Sequence, residues 1–505
     1  MAVVLKGSDL KIEDVVKVAR GGEKVQVHPD AWDRIEKCRA FLQENIDANN
    51  TMYGVNTGIG ELAEVILSPD QVVDFQKYLI YSHAAGVGEP MDIDTVRSAI
   101  MSRINVHCHG NSGMRRVATE TLVAMLNEGV TPVVCKRGSV AACGDLSPMA
   151  QMAMVMIGEG EAFYKGVRMP GAEAMKKAGV PTITFLERDG LACINGSNMI
   201  TGMGSIMAFE AEQWLKTHSI AAAMTLEALN ANLRAFDHRL HEVRGYEGAM
   251  KTAEHIRRLL EGSTVKGPAG KKLQDAYSLR STPQVAGAAF DTMIFVRKMF
   301  ETELNGVGDN PIFFPEDNEV ISGANFQGTP MAFALEYMAI ATTTVSALSE
   351  RRLNRLLNVN LSCGLPAYLT TGAGMFSGLM LSQYTAGQMV NENRVLCNPA
   401  ATGSIPAAAD QEDFVSMGMT SALKMRQIMD NNYAILGIEM IAAAQALDFR
   451  EGKSGKGTSA AYDVIRKHVK HLEEDRPLYD DHNNMAAVLR SGELLEAVED
   501  AVGKL

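Results

Sequence analysis

The sequence predicts a mainly α protein, and three observations carry that prediction. Aromatic residues make up only 6% of a chain that is 46% hydrophobic. The apolar mass is therefore Ala, Leu, Ile, Val and 30 Met, side chains suited to packing helix on helix. Two long proline-free stretches, 200–233 and 331–358, repeat apolar residues at helical spacing, as in Met338, Ile340 and Val345, then Leu348, Leu353 and Leu356. Runs with strict apolar–polar alternation are scarce.

Taken in order, 505 residues are enough for two or three cores or one elongated helical body. Residues 1–200 mix short segments with glycine-rich turns: YGVNTGIG, AAGVGEP, HGNSG, RGSVAACGD and INGSN. Such turns hold demanding backbone conformations, where functional residues tend to sit. Residues 201–450 are expected to form a bundle of long apolar helices, broken at 261–272, 306–320 and 362–378. Residues 451–505 are more charged and are expected on the outside.

The net charge of −12 gives no bulk attraction to nucleic acid or an anionic membrane, and neither partner is expected. The opening MAVVLKGSDLKIEDV lacks the pattern of a signal peptide. The apolar run 434–447 is short for a bilayer and contains Glu439, which predicts a core helix. Seven cysteines, an odd number without paired spacing, suit reduced thiols in a cytoplasmic protein.

Three patterns carry little chemistry. His107-Cys108-His109 has no further ligand at metal-site spacing, so no metal is expected. KGPAGKK (266–272) lacks the gap and the Lys-Ser/Thr ending of a phosphate loop, and GAGMFSG (372–378) lacks a preceding strand.

GSVAACGDLSP (138–148) has two readings. As a helix start, Asp145 or Ser147 caps, Pro148 fits the first turn and Met149 opens an apolar run. As chemistry, Gly144 has no side chain, so its amide nitrogen can reach the Ala142 carbonyl carbon. Loss of water and elimination of the Cys143 β-substituent then leave a five-membered ring with an exocyclic methylidene. That group is an electrophile, which no ordinary side chain supplies.

This stretch resembles the Ala-Ser-Gly-Asp-Leu motif from which the aromatic amino-acid ammonia-lyases build 4-methylideneimidazol-5-one (MIO). The likeness runs from about residue 50 to 430, with motifs closest to the histidine-lyase branch. MYGVNTGIG (52–60) supplies Tyr53, SHAAGVGEP (82–90) supplies His83, and INGSN (194–198) supplies Asn195. QDAYSLRSTPQ (274–284) supplies Gln274, Tyr277 and Arg280, and DNPIFF (309–314) follows. GANFQGTP (323–330) supplies Phe326, and SIPAAADQEDFVSMG (404–418) supplies Glu412. Met380 stands where histidine lyases often have methionine.

The resemblance implies a fumarase/aspartase-like long central helical bundle with a loop-rich N-terminal domain. It also implies a homotetramer whose sites draw loops from several subunits. Tyr53 would be the base, provided its pKa falls from the usual value of about 10. MIO from Ala142, Cys143 and Gly144 would activate the amino group, with the helix after Asp145 stabilising negative charge on the ring. Arg280 and Asn195 would hold the carboxylate, while Tyr277 and Gln274 orient MIO and substrate. Glu412 and His83 would meet an imidazole, and Phe326 would line the site.

Two departures bear on function. Cys143 stands where the family has serine, so ring closure would release hydrogen sulfide. Gln327-Gly328-Thr329 resembles the phenylalanine-lyase version of a segment that reads His-Ala-Glu in histidine lyases. The favoured expectation is a carbon–nitrogen lyase converting L-histidine to urocanate and ammonia. The sequence leaves open another aromatic amino acid or an aminomutase. It also leaves open an MIO-free lyase releasing trimethylamine from a histidine betaine, and a non-catalytic scaffold with Cys143 unmodified.

Overall fold

Four long helices dominate the chain: Asn198–Ala228, Thr282–Leu304, Thr329–Leu357 and Gly418–Leu447. The computed structural model describes residues 2–267 and 272–505, so residues 268–271 of the KGPAGKK stretch lie outside it. Alanine and methionine sustain these helices, while β-branched runs and interior proline are rare. The segment 434–447 falls inside Gly418–Leu447, with Ile435, Leu436, Ile438 and Met440 buried. Thr329–Leu357 is long and apolar enough to cross a membrane by length and composition, yet most of its apolar window is buried in the protein.

The chain forms two compact units that interleave in sequence. The first comprises residues up to Phe209, Val296–Glu336 and Pro399–Leu423. Its strands are short and form small sheets of two or three, as in the hairpin Glu161–Tyr164 with Val167–Pro170. Its core contains charge. Arg103 and Arg188 are fully buried, and each donates at 2.7 Å to a different oxygen of buried Asp309. Arg103 also donates to the carbonyls of Ala192, Asn195 and Gly308. Arg188 donates to those of Ser112 and Asn310. Such satisfaction is what makes a buried charge tolerable. Here it ties Asn195 to the 308–311 corner. His107 packs into the same network beside Arg103 and the Ala192 carbonyl, and burial with that neighbouring charge pushes it down to about 3.

The second unit comprises Glu210–Phe295, Tyr337–Asn398 and Lys424–Leu505. A buried polar knot links its three long helical segments. Glu439 accepts from Arg352 Nε at 2.6 Å and Nη2 at 2.8 Å, from Thr225 Oγ1 at 2.9 Å, and from Ser349. His218 Nε2 lies 2.8 Å from Arg352 Nη2, and burial with that guanidinium keeps its imidazole neutral. A one-turn slip of any of these helices would strand a buried charge, which fixes their register.

Candidate active site

In the first unit, three loops and the end of helix Pro69–His83 bring Tyr53, Cys143, Glu412 and His83 into one neighbourhood. Tyr53 is held from below. Its neighbours Met52 and Val55 are buried with Cys38, Phe41, Leu42 and Phe313, which anchors the loop on helix Pro29–Asp47. The phenol oxygen accepts the Gly60 N–H at 3.0 Å. That donor favours a phenolate, but burial outweighs it, and the charges of Cys143 and Glu412 add to the upward push. The sequence reading needs a lowered phenol. In the chain by itself the phenol is raised.

The Ala142-Cys143-Gly144 turn is tightly constrained. Gly144 has φ +75 and bridges Gly196, while Asp145 N–H donates to the Gly196 carbonyl at 2.9 Å. A Cβ on Gly144 would lie 2.1 Å from Gly196 C, so only glycine fits. Ala141, just before the tripeptide with φ +54, and Gly144, its last residue, both have left-handed backbone. Cys143 is partly buried, and its thiol donates to Glu412 Oε1 at 2.8 Å. Burial, then the Glu412 hydrogen bond, push the thiol well above its ordinary range.

Asp145 corrects the local helix-start reading. It occupies the N-cap position of helix Leu146–Met156, but its side chain makes no cap hydrogen bond to that helix. Its carboxyl accepts instead from Ile200 N–H at 2.8 Å, in the first turn of Asn198–Ala228, and from Ser139 Oγ at 3.2 Å. Two helix N-termini therefore converge on the Cys143 turn, and their partial positive charge favours an anion there. Burial raises Asp145 to about 7.

Glu412 rides on a strained loop. Ala407 and Glu412 bridge each other, and between them Ala408, Ala409 and Asp410 have φ of 49, 53 and 67. Three consecutive non-glycine residues in the left-handed region cost about 1–3 kcal/mol each, and such strain clusters at functional sites. The strain here aims a carboxylate at Cys143.

His83 ends helix Pro69–His83, with Nδ1 2.8 Å from the Leu79 carbonyl. A carbonyl only accepts, so Nδ1 carries the proton and Nε2 is left as an acceptor. Burial lowers the pKa, and His83 lies within Coulombic reach of Glu412. Asn195, 3% exposed, donates its amide to the Asn310 carbonyl at 2.9 Å. The half-buried Phe326 presents its carbonyl to Ser197 Oγ at 2.7 Å.

Gln274, Tyr277, Arg280 and Met380 belong to the second unit. Gln274 and Arg280 line a pocket of about 610 Å³ with Asn232, Arg234, Asp237 and Asp275. Arg280 donates Nε to the Asp275 carbonyl at 2.9 Å, and its guanidinium sits 4.7 Å from the centre of the Tyr277 ring. Tyr277 is 71% exposed. Met380 opens helix Met380–Leu396 and is half-buried.

Sequence reasoning assigned no role to Arg103, Arg188 or Asp309, which brace Asn195. DNPIFF was the available signal. The Gly60 N–H and the Leu79 carbonyl are backbone groups, and side-chain patterns do not disclose them.

Comparison with known proteins defines a class, the ammonia-lyases acting on a carbon–nitrogen bond. The aromatic amino acid lyase model matches residues 10–467. The chain belongs to that family. It is 43% identical over 505 residues to the histidine ammonia-lyase of Alkaliphilus metalliredigens (strain QYMF), covering 100% of this chain and 99% of that one. Among solved structures, the histidine ammonia-lyase of Trypanosoma cruzi is 34% identical with a TM-score of 0.92, covering 99% and 96% of the two chains. The tyrosine aminomutase of Streptomyces globisporus is 35% identical with a TM-score of 0.95, covering 100% of both.

Proposed function

We propose that the protein eliminates ammonia from L-histidine to give urocanate. One observation carries the choice of substrate: two hydrogen-bond acceptors, His83 Nε2 and the Glu412 carboxylate, share the neighbourhood of Tyr53 and Cys143. A neutral imidazole brings one N–H donor to such a pair, whereas a phenyl ring brings none, a mismatch for half-buried acceptors. Similarity to histidine ammonia-lyases over the whole chain supports the same choice.

The tripeptide fits the family's prosthetic group. Gly144 has no side chain to block the approach of its amide nitrogen to the Ala142 carbonyl, and the sulfur of Cys143 is a leaving group at the β-carbon. Once formed, MIO supplies an electrophilic carbon that makes the amino group easier to expel. Every other function falls to the chain's own side chains. Tyr53 removes the β-proton, and the Gly60 N–H steadies the phenolate. Because burial raises the free phenol, the positive charge of the substrate ammonium is what makes proton transfer to Tyr53 feasible. Arg280 of a neighbouring copy holds the carboxylate in a paired contact, and Asn195 completes the hold on it. Tyr277 and Gln274, from the same neighbouring copy, orient the reacting groups, and Phe326 shapes a wall.

The assembly is a homotetramer in this proposal, with Gln274, Tyr277 and Arg280 offered to sites of neighbouring copies. The exposed ring of Tyr277 supports it. So does an apolar groove of about 460 Å³ lined by Val285, Ala289, Phe295, Tyr337 and Ile340. Seven free cysteines support a reducing, cytoplasmic setting.

A second reading, an aminomutase or lyase acting on tyrosine, has one observation in its favour. A phenol O–H can also donate to His83 Nε2, and a tyrosine aminomutase is among the similar structures. Purified protein assayed with L-histidine, L-tyrosine, L-phenylalanine and a histidine betaine separates the readings. Urocanate from L-histidine is expected as the main product. A β-amino acid from tyrosine would favour the second reading, trimethylamine from the betaine an MIO-free lyase, and no product from any of them a scaffold.

A further inference from the structure

We propose that Glu412 carries the α-proton of Cys143 to its sulfur, so that the sulfur leaves as hydrogen sulfide when the chain builds its own electrophile. The inference rests on the reading that the ring forms. It assigns Glu412 a task in maturation that is separate from meeting the substrate.

The contact that motivates it is direct. Cys143 Sγ lies 2.8 Å from Glu412 Oε1, and the strained 408–410 backbone holds the carboxylate there. Sulfur can leave only if it carries hydrogen, because a thiolate would have to depart as sulfide dianion. Burial and the Glu412 contact keep the thiol protonated, which is the state that can leave. The other carboxyl next to the turn, Asp145, is occupied by Ile200 N–H and Ser139 Oγ. The Tyr53 phenol is held protonated and bound to Gly60. Glu412 is thus the group placed to move a proton at the sulfur.

The chemistry balances. Gly144 N bonds to the Ala142 carbonyl carbon, and that oxygen leaves as water with the amide hydrogens of Gly144 and Cys143. Glu412 then takes the proton from the Cys143 Cα. The electron pair left behind forms the Cα–Cβ double bond, and the Cβ–Sγ bond breaks with its pair on sulfur. The same carboxyl returns the proton to the departing HS, giving hydrogen sulfide. Glu412 ends as it began, and no oxidant or reductant is needed.

The test is intact mass together with a count of thiols in the unfolded protein. The wild-type chain should be lighter by one water and one hydrogen sulfide, and should titrate six thiols, its seven cysteines less one. Glu412→Gln, close in shape, should keep its sulfur and titrate seven, with circular dichroism matching the wild type. Glu412→Asp keeps a shortened carboxylate and should lose sulfur partially and more slowly, which gives a reading even if the amide variant folds poorly. If Glu412→Gln loses its sulfur as completely as the wild type, the relay is wrong while the ring stands. If the wild-type chain keeps its full mass, the ring is wrong and the relay falls with it.

Discussion

The thiol of Cys143 donates to Glu412 Oε1 at 2.8 Å, across 269 positions of sequence. That pairing joins the turn that would make the electrophile to the carboxylate proposed to meet the substrate. Three features converge on it: a glycine that tolerates no Cβ, two helix N-termini and a strained loop.

Tyr53→Phe should lower turnover by roughly 10²–10⁴, the usual contribution of a general base. Among the described residues the phenol's hydrogen bond is the one from Gly60, whose N–H is left unpaired, so stability should fall by no more than about 1–3 kcal/mol. The ultraviolet assay and a melting curve check both parts. Near-normal turnover would remove Tyr53 from the base role.

Gly144→Ala should both destabilise the protein and prevent ring closure. The left-handed φ alone costs about 1–3 kcal/mol, and the new methyl would stand 2.1 Å from Gly196 C. A lower melting temperature and an intact mass with no loss are expected. A stable variant that still loses water would show the turn to be more forgiving.

His83→Phe removes the acceptor left by the Leu79 tether. The kcat/KM for L-histidine should fall by about tenfold or more, a loss of at least about 1.4 kcal/mol, while that for L-phenylalanine rises. Unchanged selectivity between the two substrates would place the ring of the substrate elsewhere.

Asp145 and Glu303 are both held up to about 7 by burial, and the Asp145 charge adds to the rise of Glu303. Each binds its proton more tightly in the folded chain than in the unfolded one. Their stabilisation is therefore complete below about pH 4 and is lost as the pH rises through about 7. Glu303→Gln should flatten the fall in stability between pH 5 and 7.5 by about 1–3 kcal/mol, read from denaturant melts across that range. An unchanged slope would mean Glu303 ionises without cost.

The long helices were legible because alanine- and methionine-rich, proline-free sequence has no competing structure. The stretches 200–233 and 331–358 appear as Asn198–Ala228 and Thr329–Leu357. The interleaving of two units was not legible, because it depends on which apolar faces meet across hundreds of residues. Motifs far apart in sequence pointed to Tyr53, His83, Cys143 and Glu412, which the fold brings near one another, but not to the electrostatics around them. Asp145 read locally as a cap for its own helix, but the partner that won was Ile200, 55 residues away. The tautomer of His83 and the raised phenol of Tyr53 depend on backbone contacts and burial, which no motif records.

The central claim, elimination of ammonia from histidine, is tested most directly by incubating the purified protein with L-histidine. Urocanate absorbance and released ammonia are measured in the same sample. Equal amounts of the two, rising together and at least about a hundredfold slower in Tyr53→Phe, are predicted. No urocanate from L-histidine, alongside product from L-tyrosine or L-phenylalanine, would contradict the account.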